Sequence, residues 1–173
     1  MSESALAAAT ARIEAALTTP QARPCVRSFF DTATFTASHV VHDPHSGEAA
    51  VIDSVMDYDP VSGRTDYRSA QQIVDYVQRE KLTVVWQLET HAHADHLSAA
   101  PWLRDQLGGR IGIGADIVRV QHTFGSIFNA GPGFARDGSQ FDHLFTDGEC
   151  FKLGALDCIA LHVPGHTPAD MAF

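Results

Sequence analysis

Apolar residues fall at helical intervals at the start of the chain. Leu6, Ala9, Ile13 and Leu17 precede Pro20, so residues 3–18 read as an amphipathic helix outside any sheet, with residues 1–24 as its lead-in. The period then shortens to two. Runs rich in β-branched and aromatic residues, Val26–Asp31 and Thr34–His42, predict two strands, and Asp43-Pro44-His45-Ser46-Gly47 supplies turn chemistry before a third at Ala49–Asp53. Ser69 with Gln72 has the form of a capping box, and Ala70, Ile73, Val74 and Val77 make the buried stripe of a helix reaching about Lys81. The run Leu82–Leu88 is nearly continuously apolar, as a strand covered on both faces must be. Strand, helix, strand is a βαβ unit. Its right-handed crossover sets the two strands side by side and puts the loop after Leu88 at the carboxyl edge of the sheet, where α/β proteins place their sites.

Farther on, Leu97, Ala100, Leu103 and Leu107 predict a helix over 97–107, with Pro101 in its first turn and Gly108-Gly109 as its stop. Arg110–Gly114 reads as a short strand. The stretch Thr123–Gln140 carries four glycines and a proline among aromatics, which predicts an irregular loop over the site rather than a helix. Phe151–Leu153 and Leu156–Val163 read as a strand pair, and Met171–Phe173 as the beginning of another strand. No internal repeat or low-complexity tract interrupts this order.

Composition narrows the function classes. The 173 residues are 45% hydrophobic, enough for one domain with a real core, and 12 Lys+Arg against 21 Asp+Glu give a net charge of −9. That sign argues against nucleic acid and against an anionic membrane surface as partners. Cys25, Cys150 and Cys158 are odd in number and contain no C-x-x-C pair, so no disulfide framework or cysteine zinc site is expected, and they read as small buried hydrophobes in a reducing, cytoplasmic setting. The N-terminal residues lack the positive region of a signal peptide, and no apolar run approaches membrane-spanning length.

The chemistry concentrates in Thr90-His91-Ala92-His93-Ala94-Asp95-His96, three imidazoles and a carboxylate directly after a buried strand. In extended chain His91 and His93 project to one side, and Asp95 and His96 lie where the chain turns toward the next helix. Imidazole and carboxylate together suit zinc, iron and manganese. A solvated polar loop, or a histidine network without metal, is the plainer alternative. Four potential ligands at this spacing, followed by the tight turn Val163-Pro164-Gly165-His166-Thr167-Pro168, favour a metal centre that His166 joins.

His-Ala-His-Ala-Asp-His followed by Gly165-His166-Thr167 resembles the metallo-β-lactamase superfamily. Within it, Leu88-Glu-Thr-His-Ala-His-Ala-Asp-His-Leu-Ser-Ala-Ala100 and Phe134-Ala-Arg-Asp-Gly-Ser-Gln-Phe-Asp142 resemble the bacterial β-lactamase-like persulfide dioxygenases, or sulfur dioxygenases. The resemblance spans residues 25–173 as one domain and implies an αββα sandwich, truncated in its second half. It also implies oxidation of glutathione persulfide by dioxygen to sulfite and glutathione, with one iron(II) per chain. His91 and His166 carry over as iron ligands, and an aspartate beyond Phe173 would be the third. Such a 2-His-1-carboxylate triad leaves adjacent positions for persulfide and dioxygen. His93, Asp95 and His96 would then support the site, whereas in the superfamily's dinuclear zinc hydrolases they bind metal directly. Asp170, at the start of the last strand, is not expected to be a ligand.

Three readings follow: the iron dioxygenase, with Asp95 and His96 as supporting catalytic groups; a zinc thioester hydrolase of glyoxalase II type with two zincs, in which Asp95 orients the attacking hydroxide; and a non-catalytic metal-binding chain that needs a partner fragment. The unfinished last strand leaves an open edge, so self-association into a homo-oligomer is expected. Asp53, at a strand end, is expected to hydrogen-bond the His91 loop or simply to cap its strand. His39, His42, His45, His122 and His143 read as surface or satisfied core, and His162 as packing. Arg136 and Asp137 read as a solvated loop tip, with contact to substrate as the alternative.

Overall fold

A computed structural model describes residues 1–173. Helix α1 (Glu3–Thr18) starts at Ser2, whose hydroxyl accepts from Ala5 N, and packs Ala5 and Ala9 toward the sandwich beside strand β11 (Leu156–His162). Strands β1 (Cys25–Asp31), β2 (Thr36–His42) and β3 (Glu48–Ile52) form an antiparallel meander. A hairpin of β4 (Val55–Asp59) and β5 (Arg64–Asp66) leads into α2 (Arg68–Arg79), and β6 (Thr83–Leu88) returns parallel to β3, closing the expected βαβ unit. Then come β7 (Leu97–Ser98), α3 (Ala100–Leu107), β8 (Arg110–Gly114), α4 (Ile117–Ile127) and β9 (His143–Phe145). The six-stranded sheet has the order β1-β2-β3-β6-β8-β9, and β10 (Glu149–Leu153), β11 and β12 (Met171–Ala172) form a second sheet.

Two cores lie on opposite faces of the large sheet. Val40, Ala49, Val51 and Val84 meet Ile73, Val74, Val77 and Leu103 of α2 and α3. On the other face Ala50, Trp86, Leu88 and Phe145 meet Leu153, Leu156, Ala160 and Met171 of the second sheet. Each fully buried side chain of this size contributes about 2 kcal/mol relative to exposure. A bulge in β6 makes this possible. Ala49 pairs with Val84 but Ala50 with Trp86, so Val84 faces the helices while Trp86 and Leu88 both face the second sheet. Gly109, at φ +88°, lies against the bulge, and a Cβ there would sit 3.2 Å from Trp86 N and from Val85 C.

Four expectations need correction. The capping box at Ser69 does not form: Asp57 of β4 takes both Ser69 N (2.9 Å) and Ser69 Oγ (2.8 Å), so a carboxylate from a neighbouring strand binds the helix start instead. The helix expected over 97–107 starts at Ala100, because Leu97 and Ser98 pair with Met56 and Val55. Residues 123–127 are helical, the end of α4, and the loop begins only after them. Gly125 there is no breaker; it makes room for Arg136, whose Nε would lie 2.7 Å from an added Cβ. The cysteines are not buried hydrophobes either, since Cys25 and Cys150 are exposed and Cys158 is half-buried. No helix is long and apolar enough to cross a membrane.

Candidate metal centre

Strand β3 ends on a turn that aims a carboxylate. Asp53 has left-handed backbone, φ +51°, a conformation that costs a non-glycine residue about 1 kcal/mol, and Ser38 Oγ holds its carbonyl at 2.8 Å. Its side chain thereby reaches the 90–96 segment: Thr90 N donates to Oδ1 and Thr90 Oγ1 to Oδ2, both at 2.8 Å, and His93 Nε2 lies 3.0 Å from Oδ1. These donors hold the Asp53 carboxyl below its ordinary range although burial pushes the other way.

The structure brings the four histidines together. Ring centroids are 4.0 Å apart for His91 and His93, 4.1 Å for His93 and His96, and 4.9 Å for His91 and His166. The Gly165–Thr167 corner is drawn inward by Asp170, whose carboxylate accepts Thr167 N (2.8 Å) and the Thr167 hydroxyl. Both Asp170 oxygens are thus engaged by the corner itself. Met171 N donates to Thr90 O at 2.8 Å, so the main chains carrying His91 and His166 are joined directly. Asp95 is half exposed, 3.4 Å from His96 Nδ1, and takes a 3.1 Å bond from Thr36 Oγ1.

Hydrogen bonding decides which ring nitrogens are free. Thr90 Oγ1 gives its proton to Asp53, so at 2.9 Å from His91 Nδ1 it can only accept, which leaves His91 Nε2 with a lone pair. His93 points Nε2 at Asp53 and, at 3.3 Å, at Glu89, which leaves Nδ1 toward the cluster. His96 Nδ1 faces Asp95 and Thr36, while its Nε2 is buried with no partner. A buried nitrogen without a partner costs about 1–3 kcal/mol unless something binds it. Metal-binding histidines characteristically anchor one nitrogen on a carboxylate or other polar group and present the second. The donor set therefore fits a transition metal.

Electrostatics run the same way. Burial, and then the charge of His93, push His91 and His96 below the ordinary imidazole range, keeping them neutral. Burial would lower His93 too, but its bond to Asp53 and the adjacent Glu89 carboxylate outweigh that and raise it to about 9. Burial drives the Glu89 carboxyl up.

Beside the rings lies a cavity of about 340 Å³, walled by Leu97, Ala100, Pro101, Ile111, Ile113 and Phe141. Gln140 and Phe141 belong to the loop after α4, so that loop does reach the site, through its far end. Arg136 does not: it binds Gly125 O (2.9 Å), Ala130 O (3.3 Å) and Ser126 Oγ (3.1 Å), closing the carboxyl end of α4. His162 bonds Pro168 O at 2.8 Å, His39 bonds Ser28 and His143 bonds Glu149. Glu89, Thr36 and Ser98 escaped the sequence reading, although a carboxylate at the end of an apolar strand, beside three histidines, was a usable signal for Glu89.

Residues 31–173 match the metallo-beta-lactamase superfamily, and the chain belongs to it. It is 57% identical over 148 residues to a probable metallo-hydrolase of Burkholderia pseudomallei (strain 1710b), covering 86% of this chain and 50% of that protein. Against a beta-lactamase hydrolase-like protein of Agrobacterium fabrum the identity is 43% over 150 residues, 87% of this chain and 35% of the relative. The mitochondrial persulfide dioxygenase ETHE1 of Homo sapiens is 27% identical over 148 residues, 86% of this chain and 46% of that protein. The crystal structure of ETHE1 from Myxococcus xanthus superimposes with a TM-score of 0.60 at 21% identity, over 85% of this chain and 52% of that one, which shows the shared fold. The chain thus spans half or less of the length of these curated relatives.

Proposed function

We propose that this chain carries a mononuclear non-haem iron(II) centre and oxidises a low-molecular-weight persulfide, glutathione persulfide foremost. One observation carries the reading: imidazoles from two distant segments, His91 and His166, meet at 4.9 Å between ring centroids, and His91 also lines a cavity whose exposed wall area is mostly apolar. Such walls suit a soft, weakly hydrated sulfur terminus. The kinship with proteins named persulfide dioxygenase supports it. Iron would be held by His91 and His166, with His93 Nδ1 and His96 Nε2 as the remaining free donors, and when bound it supplies the redox chemistry that side chains lack.

The overall change converts persulfide, dioxygen and water into thiol, sulfite and two protons. The sulfur–sulfur bond breaks, the outer sulfur is oxidised, and dioxygen takes its electrons. The chain's own residues orient and exclude. Asp53 and Thr90 fix the His91 and His93 rings, Ile111, Ile113 and Phe141 shield the reacting sulfur from bulk water, and Asp95 at the solvent edge is held ionised, an acceptor that can orient a donor at the mouth of the site. Burial opposes that ionisation of Asp95, but its hydrogen bonds and His96 outweigh it.

A second reading has its own support. Ligand atoms of His93, Asp95 and His96 lie within 4.8 Å of one another, as a second ion would require, and relatives carry metallo-hydrolase names, so a dinuclear zinc thioester hydrolase is the competitor. Metal analysis with oxygen uptake separates them. One iron per chain, with sulfite formed from glutathione persulfide, is the expected result. Two zincs with thioester cleavage would overturn it in favour of the hydrolase, and neither metal nor turnover would leave a non-catalytic chain.

A further inference from the structure

Glu89 follows directly on β6, and its N–H continues the sheet by donating to Gly112 O at 2.9 Å. Its side chain is buried, 4% exposed, beneath the histidines. One carboxylate oxygen accepts the Ser98 hydroxyl; the other, Oε2, has no hydrogen-bond partner and faces His93 Nε2 at 3.3 Å, a charge contact. A buried carboxylate without a strong partner is costly, so its place here calls for a compensating task.

We propose that Glu89 is a positioning residue that, together with Asp53, grips His93 Nε2 from two sides and so commits Nδ1 to the metal; this rests on the metal-binding reading above. Asp53 alone is a weak guide, because its Oδ1 is shared with Thr90 N. With the Glu89 oxygen 3.3 Å away on the same edge, flipping the ring would replace a positive N–H by a C–H against two carboxylate oxygens and lose the Asp53 bond together with the attraction of Glu89. Glu89 is in turn fixed from α3. Ser98 Oγ accepts Ala100 N at 3.0 Å, in the first turn of that helix, and its own proton is left to point at Glu89. The start of α3 thereby sets Ser98, Ser98 sets Glu89, and Glu89 sets the ring.

The test uses the whole chain, with zinc as the metal probe in chelator competition and nitrogen-edited NMR of the metal-free histidines. Glu89→Gln should weaken zinc about tenfold, the lower end of what partners behind a ligand contribute. Ser98→Ala should weaken it less, and should add nothing in the Glu89→Gln background, since it acts through that carboxylate. Without metal, the His93 Nε2 proton should be resolved at low field in the wild type and lost to exchange in Glu89→Gln, while the thermal midpoint of the variant does not fall. Unchanged zinc affinity in Glu89→Gln, or a Ser98→Ala loss that is the same in both backgrounds, overturns the proposal. A wild-type chain that takes up no zinc sinks the metal reading instead, and the His93 proton then decides the role of Glu89 alone: its persistence in Glu89→Gln overturns it.

Discussion

Two ends of the sandwich use buried carboxylates in opposite ways. Behind the sheet, Asp43 accepts Ala155 N (2.9 Å), His45 N (3.0 Å) and Ser46 Oγ (2.8 Å), while Glu48 accepts Gly154 N at 2.8 Å, so the β2–β3 turn locks onto the β10–β11 turn. Both Asp43 oxygens find donors within the fold. At the histidine rim Asp53 is equally well served, yet His96 Nε2 and Glu89 Oε2 are left without a bond. The carboxylates that hold the sheets together are fully bonded within the fold, whereas at the rim a carboxylate oxygen and an imidazole nitrogen converge on one small volume with bonding capacity in reserve for something not of the chain.

The contrast is broken most severely at the rim. His91→Ala or His166→Ala should lower zinc affinity by more than about a hundredfold in chelator competition, beyond the loss expected for a residue behind a ligand, while the metal-free chain keeps its folded stability. Gly154→Ala attacks the other end. Its φ is +60° and a Cβ would lie 2.4 Å from Asp43 Oδ2 and 2.0 Å from Ser46 Oγ, so urea unfolding should show a loss of about 2–4 kcal/mol with zinc uptake by the folded chain unchanged. Asp43→Asn should cost about 1–3 kcal/mol by the same measurement.

Acid and base should then separate the two ends. The backbone donors of Ala155 and His45 hold the Asp43 carboxyl well below its ordinary 3.8, so its stabilisation is present above that value and fades as pH falls below it. His93 is the reverse: raised from 6.5 to about 9, its contribution to the metal-free chain is full below 6.5 and lost as pH climbs through 9. Urea midpoints should therefore converge between wild type and Asp43→Asn in strong acid, and between wild type and His93→Gln in alkali. The smallest effect is expected from Arg136→Ala, about 1 kcal/mol of stability from the end of α4 and no change in zinc affinity; a loss of zinc would return Arg136 to the site.

Legibility in the sequence followed the range of the forces involved. The βαβ unit could be read because period and punctuation are local: Ile73, Val74 and Val77 mark one helix face, and Leu82–Leu88 could hardly be anything but an interior strand. The histidine segment was visible as composition alone. What escaped depends on partners far along the chain. Gly125 counted as a breaker because Arg136, the side chain it accommodates, lies eleven residues on. The bulge at Val85 leaves no local signature, and Asp57 reaches α2 from twelve residues away. The exposed Cys25 and Cys150 show that average burial of a residue type says little about one position.

The bond from Met171 N to Thr90 O has a mechanical meaning. It pins β12 to the lip of the large sheet, and the separation of His91 from His166 is thereby set by a main-chain bond together with the Asp170 carboxylate that folds the corner. Repacking the sandwich interior would detune that spacing only after this rivet had sheared, so geometry at the lip should outlast considerable drift in the residues beneath it.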